Sequence, residues 1–597
     1  MTDGGRDRVT EVRCEPNRPA TPALQFSEHL AGHISLALGP DGDFGAAAAI
    51  GRATNCCLST NLTIAYADLP AVLADPSVQA AISGTIHAPL LSTEPLKVSS
   101  GTFVLLAPDP AHVETDHMLY RCDALASDGR QFRFEGFKVI RQGPATKAWR
   151  DTTTLFVTIH EVRGRGPVAE CARGIIRVTL GDLRRLLGSI EILNVPKRQQ
   201  QDRYRREFLS RFLGSLWPFF AGAIDEPGRF PVPTAKPRPV RESNGMAVDT
   251  VRWCDPAGAW HDDAPPGACS RLIRYQGGEK GPVMLAPGFA MSATSFALET
   301  NRPNLVSYLR DRGFDVWLFD YRAGIDLPSS WTQSTIDQIA NIDWPRAVAE
   351  VRRMSRAPDV QALGHCVGSV SLMMTLLSGT PGIRSAICAQ FTVHPMTSIL
   401  NKTKALLHIG TAMADLGISR VRPDSPRHLS DVALDLAIRP IPMPRGERCG
   451  LAVCRWINAI FGCTHVHEQL DDATHNEIPT MFGVGNLTGL RHLILMLQRG
   501  RAVDAWGLNR YLPHVERLDL PIHFLAGTQN YIFHPSGTER TLEWLHSAHG
   551  SVKSSHNYSV NYLEGYGHLD AIIGRDASID VFPDIAEHLE QYSLSSA

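Results

Sequence analysis

The stretch Leu363–Ser369 reads LGHCVGS, two glycines flanking a cysteine at the end of the apolar run VQALG. A strand that ends in G-x-C-x-G has to turn sharply into a helix with its central residue strained, because glycine at both flanks keeps Cβ atoms out of a turn too tight for them. Gly364 and Gly368 are therefore assigned to the elbow, and Cys366 is the nucleophile it presents. Such a turn needs a sheet to hang from.

The chain from about residue 245 supplies one. GPVMLAPG, FDVWLFDYRAG, VQALGHCVGS, SAICAQF and PIHFLAGTQN are apolar runs that end in turn residues, and amphipathic segments such as TIDQIANIDWPRAVAEVRRMS lie between them. Strands alternating with helices predict a mostly parallel sheet covered on both faces. Upstream the pattern differs. HISLALG, AISGTIHAPLL, KVSSGTFVLLA, HMLYRCDALA, RQFRFEGFKVIRQ and TTTLFVTIHEV follow one another as short strands, with Asp128-Gly129 as a hairpin turn. Residues 25–195 are expected to form an antiparallel β domain, a sandwich or a barrel, whose apolar face fills a core. No G-x-G-x-x-G follows a strand there, so a dinucleotide site is not indicated.

Between the two patterns, GDLRRLLGSIEIL is helical in period, REFLSRFLGSLWPFFAGAI is rich in aromatic side chains, and DEPGRFPVPTAKPRPV reads as a stiff linker. The expected organisation is a tail over 1–24, the β domain over 25–195, a helical connector and linker over 196–244, and the parallel-sheet domain over 245–597. Length agrees, since 597 residues exceed one ordinary core. A net charge of −2 gives no footprint for nucleic acid, and the N-terminus has no apolar signal core. Twelve cysteines scattered over a chain this long make no small-domain framework. The expected location is cytoplasmic, with peripheral membrane contact through the aromatic connector as the alternative.

A nucleophile at an elbow needs oxyanion donors, a base and an orienting group. The N–H of Val367 follows the nucleophile, and the loop LAPGFAMS offers the N–H of Phe289. Partners are expected downstream, acid first and histidine second. AGTQNYIFHP places Asn530 where an acid belongs, and EGYGHLDAIIG places His568 in a Gly-flanked loop. The candidate triad is Cys366, Asn530 and His568. A thiol starts near pKa ~8.5 and can rest as thiolate beside imidazolium, so its histidine needs orientation more than a countercharge. Asp570 and Glu564 are alternative carboxylates, and His365 is expected to be a packing neighbour.

Much more chain lies between the elbow and Asn530 than one β-α-β step needs, which predicts a helical cap over about 395–510. Cys449, Cys454, Cys463, His465, His467 and His475 fall in it, but their spacings match no recognised zinc ligand pair, so neither metal nor cofactor is expected.

With these residues assembled, the C-terminal domain resembles the α/β-hydrolase superfamily, and within it the acid-lipase branch. NRPNLVSYLRDRGFDVWLFDYRAG looks like that branch's segment after the oxyanion loop, and GHLDAIIGRDASIDVFPDIAEHL like its histidine loop and final helix. Cysteine and asparagine depart from the branch's serine and aspartate. LGHCVGS, AGTQNYIFHPSGTERTLEWL and GYGHLDAIIG more closely resemble the cysteine-nucleophile module that follows a cholesterol-oxidase-like (GMC) flavin domain in some bacterial proteins, where a similar β domain precedes it. The elbow alone is also similar to that of polyhydroxyalkanoate synthases. The resemblance implies an α/β-hydrolase fold and a lipid, steroid or terpenoid setting, with a flavin oxidoreductase as a partner. The expected function is cysteine-dependent acyl hydrolysis or acyl transfer on a lipophilic ester or thioester through a thioacyl-enzyme. The alternative is a non-catalytic lipid-binding or partner-docking protein.

Overall fold

The computed structural model describes residues 21–36, 44–74, 78–109, 115–141, 153–162, 169–216, 249–254, 268–397, 420–421, 447, 449 and 451–594. The 1–20 part of the expected tail and the 225–244 linker lie outside them. The chain divides into two compact units, one ending at Gly228 and one beginning at Arg229 apart from a short exchanged stretch.

The first unit is a closed barrel. Its strands are β1 (Ala23–Ser35), β2 (Cys57–Tyr66), β3 (Gln79–His87), β4 (Leu96–Pro108), β5 (Thr115–Leu125), β6 (Gln131–Arg141), β7 (Thr154–Val162) and β8 (Ala169–Arg177). Each pairs antiparallel with the next, and β1 pairs with both β2 and β8, which closes the ring and rules out the sandwich. Closure removes both sheet edges, the usual liability of an all-β domain. The Asp128-Gly129 hairpin is present, with Gly129 at φ 89° and the Asp128 carboxylate accepting from Arg130 N at 3.0 Å. GDLRRLLGSIEIL is helical only over Leu180–Gly188, where Thr179 and Asp182 form a capping box; Glu191–Leu193 is instead a strand, β9, on the end of β1.

Inward positions are mostly apolar, as the alternating burial of β2 shows: Leu58, Thr60, Leu62, Ile64 and Tyr66 are buried and their neighbours are not. One ionic cluster interrupts them. Lys138 Nζ lies 2.5 Å from Glu28 Oε1 and the Tyr120 hydroxyl donates to Glu28 Oε2 at 2.8 Å, all three groups buried.

The second unit holds an eight-stranded sheet. Its strands are β10 (Asp249–Cys254), β11 (Cys269–Tyr275), β12 (Pro282–Ala286), β13 (Asp315–Asp320), β14 (Val360–His365) and β15 (Ile383–Ala389), followed, after the small pair β16 (Arg420–Val421) and β17 (Gly485–Asn486), by β18 (Ile522–Gly527) and β19 (Tyr558–Leu563). The order is β10-β11-β13-β12-β14-β15-β18-β19, antiparallel at β10–β11–β13 and parallel from β13 onward. Two apolar cores sandwich it. In β13, Trp317 and Phe319 enter one and Val316 and Leu318 the other, the period-2 split of a strand buried on both faces. Cys269, which faces Cys254 in register, is disulfide-bonded, so scattered cysteines do not by themselves fix a reducing setting.

Of the expected cap, the described residues include helices Ala452–Phe461, Asp472–Met481 and Leu487–Arg499. Among the described residues no helix is long and apolar enough to cross a membrane.

The Glu28–Lys138 pair generates a stability prediction. Lys138→Met leaves a buried carboxylate without its cation and should lower stability by about 3–5 kcal/mol. Removing both charges with Glu28→Gln and Lys138→Met should restore most of it. Denaturant midpoints of the full chain decide; equal losses in the single and double variants would refute the account.

Candidate active site

All parallel strands end on one side of the sheet, and the candidate residues lie there, beyond the C-terminal ends of β12, β14, β18 and β19. Cys366 follows β14 and precedes helix Val367–Leu377 with φ 55° and ψ −117°, a conformation that non-glycine residues rarely adopt. The flanking glycines explain how the chain tolerates it. A Cβ on Gly364 would lie 2.4 Å from the carbonyl carbon of Gly368, and one on Gly368 would lie 2.4 Å from the carbonyl oxygen of Ala286. Gly368 N also donates to Pro287 O at 3.0 Å, tying the helix start to the loop after β12.

That loop places the Phe289 N–H, and the helix start the Val367 N–H, beside the Cys366 thiol, where both act against the burial that raises it. Tyr321, at the end of β13, holds the loop from behind, its hydroxyl donating to Gly288 O at 2.7 Å and Pro287 O at 3.1 Å. Downstream, Ala293 N donates to Asp320 Oδ1 at 2.6 Å, and Asp320 belongs to a buried network with Arg271 and Asp326. The Phe289 ring meets Gly489 and Gly485, where an added Cβ would come within 2.8 Å and 3.0 Å of it. The loop is thus clamped on three sides.

His568 is buried in the loop after β19. Its Nδ1 lies 3.0 Å from Asn530 Nδ2, and its carbonyl accepts from His365 Nε2 at 2.8 Å. Asp570 turns away: its carboxylate accepts from Gly567 N at 2.7 Å and Val466 N at 3.4 Å, and burial pushes it to about 7. Glu564 is exposed. Asparagine, and neither carboxylate, occupies the far side of the imidazole.

The direction of the Asn530 bond follows from its network. Asn530 Oδ1 accepts from Ile532 N at 3.1 Å and Phe533 N at 3.0 Å, which fixes the oxygen on that side. The amide nitrogen then donates to Gln390 Oε1 at 2.9 Å and to His568 Nδ1. An accepting Nδ1 puts the neutral imidazole's proton on Nε2. Gln390, at φ 72°, is held in turn by Gly527 N, which donates to the same Oε1 at 3.0 Å.

Electrostatics point the same way. Burial pushes the Cys366 thiol up to about 12 despite the two N–H donors, and burial, with His365 beside it, holds His568 well below its ordinary value. Both shifts favour a neutral thiol and a neutral imidazole over the thiolate–imidazolium pair that the sequence suggests. Among the described residues no side-chain hydrogen bond joins Cys366 to His568, and the backbone N–H groups of Phe289 and Val367 are the groups that favour the thiolate.

Each site position singled out in the sequence lies at this end of the sheet. Tyr321 and Gln390 were missed, since a tyrosine after a strand and a glutamine after β15 carry no local signal of such a role.

No family model matches the chain. Triacylglycerol lipase 1 of Arabidopsis thaliana is 21% identical over 347 residues, 53% of this chain and 81% of that protein. Among solved structures, a monoglyceride lipase of Saccharomyces cerevisiae in complex with a substrate analog is 15% identical, covering 62% of this chain and 99% of its own, with a TM-score of 0.36. A carboxyl esterase of Bacillus coagulans in complex with glycerol is 16% identical over 58% of this chain and 99% of its own, also at 0.36. The sheet order, the elbow after β14 and the loops after β12, β18 and β19 are the parts an α/β-hydrolase fold requires.

A thiol with a raised pKa is neutral near pH 7, and its thiolate fraction grows about tenfold per pH unit until that pKa is reached. Alkylation of Cys366 by iodoacetamide, followed by peptide mass spectrometry, should therefore keep climbing across pH 7–10 without levelling near ~8.5. Asn530→Asp puts an acceptor against Nδ1, moves the resting proton there and frees Nε2 to accept. Labelling at neutral pH should then rise roughly tenfold or more; an unchanged or slower rate would show that Asn530 does not set the tautomer.

Proposed function

We propose that this chain is a cysteine-dependent acyl hydrolase or acyltransferase acting on a lipophilic ester or thioester. The observation that carries the proposal is the convergence of the Phe289 and Val367 N–H groups on Cys366 at a strained elbow. Two preorganised donors at a nucleophile are what a tetrahedral acyl intermediate needs, and removing one such donor typically costs about 10²–10³ in rate. The similarity to a triacylglycerol lipase supports an ester-cleaving reaction.

In the proposed reaction the Cys366 sulfur, as thiolate, attacks the acyl carbonyl. The carbonyl oxygen takes the negative charge and is held by Phe289 N and Val367 N. Collapse expels the leaving group, which takes a proton from solvent in place of the one the thiol gave up, with the His568 Nε2–H hydrogen-bonded to it as it departs. The thioacyl-enzyme is then opened by water or an acceptor hydroxyl, which gives its proton to solvent as Cys366 leaves as thiolate. Because burial opposes ionisation of the thiol, turnover is limited by thiolate formation, and it increases with pH through the neutral range. Thioesters are favoured because their leaving group needs less help from a proton.

The insertion between β15 and β18 is proposed to cap this site, since its residues Gly485 and Gly489 abut Phe289. A sterol, terpenoid or other lipid acyl substrate and a flavin oxidoreductase partner belong to the same proposal and rest on the resemblance alone, and membrane contact rests on the aromatic residues of the connector.

A second reading is favoured by the Asn530 network. A histidine kept as a donor and a cysteine kept protonated suit a site that binds a carbonyl or hydroxyl ligand without turning it over.

Turnover of a panel of medium-chain thioesters and esters separates the two. Hydrolysis by the wild-type chain that rises with pH, is abolished in Cys366→Ala and falls about 10²–10⁴-fold in His568→Ala supports the enzyme. Saturable lipid binding retained in Cys366→Ala, with no panel member turned over, supports the binding reading and sinks the first.

A further inference from the structure

Four ligating side chains outside the candidate active site come together in the insertion. They are Cys449, Cys454 on the first turn of helix Ala452–Phe461, His467, and His475 on helix Asp472–Met481. Their ligand atoms all lie within 4.8 Å of one another. Cys449 Sγ is 3.4 Å from His475 Nε2, and Cys454 Sγ is 3.5 Å from His467 Nε2. Zinc bonds of about 2.3 Å to sulfur and 2.0–2.1 Å to nitrogen, at a tetrahedral angle, put the sulfur-to-nitrogen edge at roughly 3.5 Å. The two sulfur-to-nitrogen edges match that geometry.

The surroundings are those of a ligand set. Glu447 Oε2 accepts from His467 Nδ1 at 2.5 Å, which fixes the ring and turns Nε2 toward the cluster, the carboxylate–histidine arrangement found behind metal-bound imidazoles. N–H groups point at both sulfurs, Leu451 N at Cys449 (3.3 Å) and Asn458 Nδ2 at Cys454 (3.7 Å), as suits thiolates carrying negative charge. His465 Nε2 is 3.8 Å from Cys454 Sγ, longer than the two sulfur–nitrogen edges of the set, and it lines the cluster.

We propose that Cys449, Cys454, His467 and His475 bind one Zn²⁺ in a closed tetrahedral site that fastens this segment to the His568 loop. Two thiolates and two imidazoles select a soft-to-borderline tetrahedral ion, and exclude Mg²⁺ and Ca²⁺, which want oxygen. Four protein ligands leave no open position, so the ion is structural. Its ligand His467 lies one and three residues after two contacts with that loop: Val466 N donates to Asp570 at 3.4 Å, and Thr464 O accepts from Leu569 N at 2.7 Å. Binding releases the two thiol protons to solvent, and the ion replaces them.

The test uses the full chain purified without chelator. Elemental analysis should find about one zinc per chain, and exchange for Co²⁺ should give the intense visible bands of a tetrahedral ion with thiolate charge transfer in the near ultraviolet. Glu447→Gln, which leaves all four ligands, should weaken metal affinity about 10–100-fold; Cys449→Ser and His475→Asn should lose the cobalt spectrum. Chelation should lower the unfolding temperature of the wild type but not of the ligand variants. Substoichiometric zinc with no tetrahedral cobalt spectrum would overturn the assignment, as would a Cys449–Cys454 disulfide in the native protein. Metal content is independent of turnover, so the proposal stands or falls separately from the acyl-transfer reading.

Discussion

The approach of Gly368 to the carbonyl of Ala286 is the contact on which the site depends. It requires that β12 and β14 be neighbours, that the chain turn from strand to helix within one residue, and that no Cβ stand between them. Cys366 has no freedom left once this is met, and its positive φ is the consequence. The same closeness brings the loop after β12 over the start of helix Val367–Leu377, so that Phe289 N and Val367 N converge on one sulfur. Tyr321 and the Arg271–Asp320–Asp326 network hold that loop where the elbow needs it. Backbone strain at the half-buried Cys366 is supported by its buried neighbours His365 and Val367, the condition under which such strain persists.

Asparagine in the acid position does more than remove a charge. An aspartate would accept from Nδ1 and stabilise imidazolium; Asn530, its oxygen committed to Ile532 N and Phe533 N, can only donate. With Cys366 pushed up by burial and His568 held down by it, the resting site is biased toward neutrality. The cysteine and asparagine substitutions are therefore matched, though in a different sense from a thiolate–imidazolium pair. They suit a site that ionises only when a ligand or high pH makes it do so.

Outside the site, position in the chain was a poor guide to proximity. Cys449, Cys454, His467 and His475 have no recognisable ligand spacing, because they come from a loop, two helices and the turn between them. Likewise, nothing in β1 marks it as the strand that pairs on both sides to close the barrel. Glu28 and Lys138, more than a hundred residues apart, meet only because closure brings β1 and β6 to one interior.

The sequence by itself determined the two-part organisation and the mostly parallel sheet, and it singled out the elbow glycines, Cys366, Asn530, His568, Phe289 and Val367 as candidates. Each of these is local, an apolar period, a turn between two glycines or a strand end, and a strand end on a parallel sheet can face only one edge. Tertiary structure decided the rest: barrel over sandwich, the direction of the Asn530 hydrogen bond, the opposite shifts of Cys366 and His568 toward their neutral forms, the supporting contacts of Tyr321 and Gln390, and the assembly of the sulfur–histidine cluster. Those depend on which groups meet across long separations and on how much water they lose when they do, and neither is encoded at a single position.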